Sequence, residues 1–183
     1  MSNKRASAGE RIELEIAREN WVSARKLIME ELRHAPNDHW LLNRLSLTYY
    51  EQREYSKALG FSDHALWAAR FCPLVLWNHA GILQMLGRTN EAIAIYQRLI
   101  RRGVNRIAFG ACGEGVALAR GMVADSHYRL AGCYLTLRRP GQAARAYKRH
   151  LEMRGPGCRS IYSLRVVRRE LSRLESRVRD RSK

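Results

Sequence analysis

No apolar run in this 183-residue sequence approaches the length of about 20 residues that a membrane-spanning helix needs. A representative run, residues 72–77, is far shorter. The N-terminal segment contains basic side chains but no apolar stretch behind them, so it does not resemble a signal peptide. We therefore expect no membrane span and a cytoplasmic protein.

Motifs for metal binding and catalysis are also missing from the sequence. The 4 cysteines include no C-x-x-C pair, the 6 histidines are scattered, and no carboxylate pair or nucleophile motif appears. We expect no metal, no cofactor and reduced cysteines that pack as small apolar side chains. His79 and His150 stand at core-facing positions of the repeat described below, where neutral packed rings explain them. The sequence does not indicate an enzyme.

Acidic residues are scarce: 17 Asp and Glu stand against 33 Lys and Arg, which gives a formal net charge of +16. Residues 138–183 contain 15 basic and 4 acidic residues and so supply most of this excess. A positive field of this kind favours anionic partners, whether nucleic acid, a membrane surface or an acidic protein.

Related residues recur at a fixed spacing along the chain. Ala24, Ala58 and Ala92 are 34 residues apart, and the next equivalent, Ala143, follows 51 residues later. Three further sets keep the same spacing, namely Ile28, Ser62, Tyr96 and Tyr147; Ser46, Ala80 and Ala131; and Tyr49, Leu83 and Tyr134. Because several positions share one register, the chain is predicted to be a repeat protein with 17 extra residues before its last repeat.

Each repeat predicts two helices. Apolar residues recur every three or four positions in residues 41–52 and again in residues 55–69, with a polar turn between them. The second repeat shows the same pattern, and Gly87 in its turn suits the left-handed conformation that often ends a helix. The predicted fold is therefore all-α and built from helix–turn–helix units.

The repeated residues resemble the tetratricopeptide-repeat family. Its pattern places Trp or Leu, Leu, a small residue and Tyr on the first helix, then Ala, a large residue, Ala and finally Pro on the second. The matching residues are Leu42, Leu45, Ser46, Tyr49, Ala58, Ala65 and Pro73; Leu76, His79, Ala80, Leu83, Ala92, Tyr96 and Leu99; and His127, Leu130, Ala131, Tyr134, Ala143 and Tyr147. The segment from Asn20 to Pro36 resembles the second helix of an initial repeat.

The resemblance implies a right-handed superhelix of about three full repeats, a degenerate N-terminal repeat and a C-terminal capping helix. We predict a single domain over residues 1–183, with repeat-like units at about 8–38, 39–72, 73–106 and 124–156. Residues 107–123 form an insert that contains the loop Gly110–Gly115. That loop lacks the Lys and Ser/Thr of a phosphate-binding loop, so we expect no nucleotide site.

The insert has two interpretations. Gly103–Arg106 predicts a turn, and the pattern from Gly115 onward predicts that the first helix of the last repeat is extended at its N-terminus. The glycine-rich loop between them is most simply a flexible connector whose glycines permit a tight bend. The alternative is a reactive thiol, since Cys112 at a helix start would have a lowered pKa.

A basic amphipathic helix is predicted at about residues 160–181. Its narrow apolar seam includes Leu164, Val167, Leu171 and Leu174, and we interpret it as a cap over the last repeat. Two alternatives stay open: coiled-coil self-association, and binding to nucleic acid or another polyanion. The residues assigned to polyanion binding are Arg165, Arg168, Arg169 and Arg173.

The resemblance also implies a concave groove, lined by the first helices, that holds a peptide or a helix. The groove candidates by register are Asn43, Arg44, Leu47 and Tyr50; Trp77, Asn78 and Gly81; and Tyr128, Arg129 and Gly132. Some members grip a C-terminal carboxylate with Lys, Asn and Arg, but here Asp125 stands at a position expected to be Lys and would repel a carboxylate. We predict a scaffold that binds a protein or peptide, an acidic one included, with polyanion binding as the alternative.

Overall fold

The computed structural model describes residues 7–180, which form nine helices and no strand. The prediction of an all-α fold is therefore confirmed. The chain divides into two compact units, Met1–Phe71 and Cys72–Lys183. Among the described residues, every helix is too short or too polar to cross a bilayer.

The first unit consists of four helices, each packed against the next one in the chain. Their bounds are α1 (Ala8–Ala17), α2 (Trp21–Leu32), α3 (His39–Glu51) and α4 (Tyr55–Ala68). Ser7 begins α1 through a capping box, in which its Oγ accepts from the Glu10 amide at 3.2 Å and the Glu10 carboxylate accepts from the Ser7 amide. Asp38 caps α3 in a similar way, because its carboxylate accepts from two backbone amides of the first turn.

The second unit consists of five helices that also pack in chain order. Their bounds are α5 (Pro73–Met85), α6 (Thr89–Ala108), α7 (Val116–Thr136), α8 (Pro140–Met153) and α9 (Leu164–Asp180). Proline occupies the first turn of α5 and of α8, where its missing N–H costs no helical hydrogen bond.

The repeat is visible in the backbone at the turns that join the paired helices. Glu19, Arg53, Gly87 and Arg138 have φ angles of 59°, 61°, 76° and 55°, in the left-handed region. The amide after each of them donates to the carbonyl five residues before it, at 2.8–2.9 Å, which is the bond of a Schellman helix end. These turns keep the 34-, 34- and 51-residue spacing, so α1–α2 matches the three later pairs.

The small residues of the repeat are buried as the register requires. Ala24, Ala58, Ala92 and Ala143 have no exposed surface. In the first unit the Ser46 hydroxyl donates to the Ala58 carbonyl at 2.7 Å, which shows how closely α3 and α4 approach.

The 17 extra residues mostly lengthen helices. α6 is broken at Gly103, with φ 73° and ψ 165°, and then continues to Ala108, so the predicted turn at Gly103–Arg106 is right only for its first residue. α7 begins at Val116, which confirms its N-terminal extension. Only residues 109–115 are non-helical, and there a Cβ on Gly113 would lie 2.3 Å from the Ala108 carbonyl oxygen. That close approach, rather than flexibility, explains the glycine.

The predicted capping helix is present as α9. Its seam residues Val167 and Leu174 are 0% and 8% exposed, and the helix packs on α8. Lys148 of α8 and Glu175 of α9 add an ion pair at 2.8 Å. The helix begins at Leu164 rather than at residue 160, and residue 181 lies outside the described part of the chain.

Candidate functional site

Three side chains of α7 form the centre of the candidate site. Asp125, Tyr128 and Arg129 are separated by three and four residues, so they lie on one face of the helix. The segment between α8 and α9, residues 154–163, crosses this face, and we call it the α8–α9 connection. The sequence predicted Tyr128 and Arg129 as groove residues, whereas nothing in the sequence predicted the connection across them.

Asp125 binds the connection through its carboxylate. One oxygen accepts from the Ser160 hydroxyl at 2.5 Å and the other accepts from the Ile161 amide at 3.0 Å. Asp125 is only 3% exposed, and burial raises the pKa of its carboxyl group, while these two hydrogen bonds act in the opposite direction. The residue expected to repel a carboxylate therefore serves here as an acceptor for a hydroxyl and a backbone N–H.

Aromatic and cationic groups surround the next residue of the connection. The Tyr162 ring stacks on Tyr128 with centroids 3.8 Å apart and 22° between the planes. The Arg129 guanidinium carbon lies 5.8 Å from the Tyr162 centroid and 5.5 Å from the Trp77 centroid of α5. Trp77 and Arg129 are thus neighbours, and both are predicted groove residues from successive repeats. With Tyr162 they form a series of ring, cation and ring.

A buried histidine supports the same segment from α8. His150 has no exposed surface, and burial lowers its pKa, so the ring is neutral. Its Nδ1 donates to the Ala124 carbonyl at 2.8 Å, which leaves Nε2 to accept from Arg154 at 3.5 Å. Arg154 also donates to the Tyr162 carbonyl. The imidazole therefore orders the arginine that holds the connection, in agreement with the expected packed and neutral ring.

The connection lies directly on the backbone of the extended part of α7. A Cβ built on Gly121 would lie 1.8 Å from the Arg159 carbonyl oxygen, which is impossible without moving the connection. The Arg159 amide donates to the Ala117 carbonyl at 3.3 Å, and Arg120 donates to the Pro156 carbonyl at 3.1 Å. The helical extension that the insert creates is therefore part of the surface that receives this segment.

The candidates of the first unit are engaged in contacts within that unit or buried. Asn43 is 1% exposed, which leaves its amide no surface for a partner in this conformation. Arg44 donates to the Glu13 carboxylate at 2.6 Å and lies over the Trp40 ring at 5.3 Å. Tyr50 makes an edge contact with Tyr55 at 5.5 Å.

Four arginines of α9 lie outside its buried seam. The four that were assigned to polyanion binding, Arg165, Arg168, Arg169 and Arg173, are all exposed. Two of them, Arg169 and Arg173, lie 3.5 and 3.4 Å from the Glu170 carboxylate. The helix thus presents cations to solvent along the side opposite α8.

Cys112 does not have the lowered pKa on which the reactive-thiol hypothesis depends. Cys112 precedes the Gly115 cap of α7 by three residues. Partial burial of its sulfur, followed by the neighbouring Cys72, raises the pKa of the Cys112 thiol to about 11. A raised pKa leaves little thiolate near neutral pH, so the environment does not activate this residue.

Comparisons with known proteins agree with this architecture. The tetratricopeptide-repeat family model matches residues 74–102, which span α5 and most of α6. No curated protein matches the chain.

Solved structures of similar fold include PilF of Pseudomonas aeruginosa, at 20% identity and a TM-score of 0.71, over 94% of this chain and 69% of that one. MamA of Desulfovibrio magneticus aligns at 13% identity and 0.63, over 80% and 73%. A tetratricopeptide-repeat protein of Parabacteroides merdae aligns at 18% identity and 0.63, over 93% and 59%. At these identities the likeness concerns the fold.

Proposed function

We propose that this chain, which has the tetratricopeptide-repeat fold and matches that family's model over residues 74–102, is a protein-interaction scaffold rather than an enzyme. Its partner would be a protein or peptide that lies along the first helices of the repeats. The observation that carries the proposal is the face of α7, where Asp125, Tyr128 and Arg129 hold a peptide segment of the chain itself. A surface that binds a backbone amide, a hydroxyl and a ring in succession has the chemistry of peptide recognition.

Charge favours an acidic partner. The chain has a formal net charge of +16, because 33 Lys and Arg stand against 17 Asp and Glu. Arg129 lies between two aromatic rings. Its planar guanidinium can donate hydrogen bonds to a partner carboxylate while it remains stacked on the rings. Asn78 of α5 is half-buried on the neighbouring helix and is proposed to contact partner backbone. The cytoplasmic location stays a prediction.

A capture experiment from nuclease-treated lysate of the source organism tests the scaffold role. We expect the wild-type chain to retain a discrete protein at moderate salt, and Asn78→Ala combined with Arg129→Glu to lose it. Arg101→Glu is the matched control, since it makes the same charge change at an exposed position of α6. Retention that the two variants reduce equally would refute recognition by this face, and loss on nuclease treatment would refute a protein partner.

Polyanion binding through α9 is the second candidate, favoured by the exposed position of its four arginines. It predicts that the logarithm of the affinity for a DNA duplex falls linearly with the logarithm of salt concentration. Replacing Arg168 and Arg169 with Ala would lower that slope by roughly 2, because each phosphate contact contributes about 0.9. A slope that the double substitution leaves unchanged would exclude these arginines as the contact.

A further inference from the structure

The α8–α9 connection presents three different groups to α7 in three consecutive residues. Ser160 offers its hydroxyl and Ile161 its backbone N–H, and both reach Asp125. Tyr162 offers its ring, which stacks on Tyr128 beside Arg129. The Ile161 side chain is 69% exposed, so the backbone and the flanking side chains, rather than this apolar group, make the contact. The chain bends at Ile161 and Tyr162, where the Ser160 Oγ accepts from the Tyr162 amide at 3.1 Å.

A simple link between two helices does not need such contacts. A carboxylate as buried as that of Asp125 costs free energy unless donors compensate it, and the two donors that reach it, Ser160 and Ile161, both lie in the connection. Gly121 likewise makes room for the Arg159 carbonyl, which an alanine would exclude. The face of α7 is therefore complementary to a particular segment in shape and hydrogen bonding.

We propose that the Asp125–Tyr128–Arg129 face recognises a segment with a serine and a tyrosine two residues apart, and that residues 159–162 occupy it as an internal ligand. An external partner of the same chemistry binds by displacing this segment. The inference rests on the proposed scaffold function and names the partner's recognition motif. It also predicts weak binding by the resting chain, since a tethered ligand competes at an effective concentration in the millimolar range.

Gly121→Ala provides the test in the full-length chain. The added methyl group would overlap the Arg159 carbonyl and so expel the connection, while Asp125, Tyr128 and Arg129 stay unchanged. Alanine also favours a helix over glycine, so α7 is not weakened. The matched control is Gly60→Ala in α4, where a Cβ meets no atom within 4 Å. In the wild type the Ile161 amide donates to the Asp125 carboxylate. Faster hydrogen exchange at this amide would therefore report that the connection has left the face of α7.

The probe is a fluorescent peptide with the chain's own residues 159–164, Arg-Ser-Ile-Tyr-Ser-Leu, and binding is followed by fluorescence anisotropy. We expect Gly121→Ala to bind it at least tenfold more tightly than the wild type or Gly60→Ala. In the Gly121→Ala background, Asp125→Asn should remove this gain in affinity. The control peptide Arg-Ala-Ile-Ala-Ser-Leu should bind Gly121→Ala no more tightly than it binds the wild type. If hydrogen exchange shows that the connection still covers the face in Gly121→Ala, a second variant takes its place in the same comparison. That variant combines Ser160→Ala and Tyr162→Ala.

Two results would overturn the inference. Equal binding by the wild type and the released variant would show that the connection does not compete for the face. No binding by a variant whose connection has left would show that the face does not recognise this motif. Both results come from purified components, so they are distinct from failure of the lysate capture, which uses the wild-type chain and tests whether a cellular partner exists.

Discussion

Acidification should destabilise this protein through His127, a partly buried residue of α7. Burial, with smaller effects from Arg149 and His150, lowers the pKa of His127 to about 4. In the unfolded chain its pKa is about 6.5, so between these values only the unfolded state takes up the proton. Stability therefore falls as pH falls through this window, and a single group with this shift loses about 2 kcal/mol between pH 8 and pH 5.

Urea unfolding followed by circular dichroism at pH 8 and pH 5 measures this loss. His127→Gln removes the titrating group, so we expect the pH-dependent loss to shrink by about 2 kcal/mol relative to the wild type. His150, whose pKa is lowered, and Asp125, whose pKa is raised, act in opposite directions. Both are present in each protein, so the difference isolates His127. An equal loss in the two proteins would refute the reasoning.

Further predictions concern a turn, the cap and the insert. Gly87→Ala should destabilise the chain by about 1 kcal/mol because φ is 76°, whereas Gly60→Ala in open space should not. Val167→Ala should cost about 2 kcal/mol in urea unfolding, and Arg168→Ala on the exposed side of α9 less than about 0.5. Alkylation of Cys112, followed by mass spectrometry, should keep accelerating up to about pH 11, and a plateau near pH 9 would contradict its raised pKa.

The helices and the repeat register could be predicted from the sequence because both depend on short-range patterns. A 34-residue spacing of small and aromatic residues records which faces meet, and those residues are buried as expected, with Ala58, Tyr96 and Ala131 fully inside. The turns were only partly predictable. Glycine signals the left-handed conformation at Gly87, but Arg53 and Arg138 adopt it without any such signal, since the Schellman bond and packing of the flanking helices impose it.

The candidate site was predictable only in part for a related reason. Register places Trp77, Tyr128 and Arg129 on the same side of successive first helices, and the structure brings Trp77 and Arg129 together. The identity of their occupant depends on a contact between α7 and a segment more than 30 residues later, and no local pattern records such a pair. The one sequence trace is Gly121 in the middle of a helix, where alanine would be favoured unless another backbone lay against it. In this protein Gly121 marks the point where a second chain segment crosses α7, and that segment covers the face on which a partner would be expected.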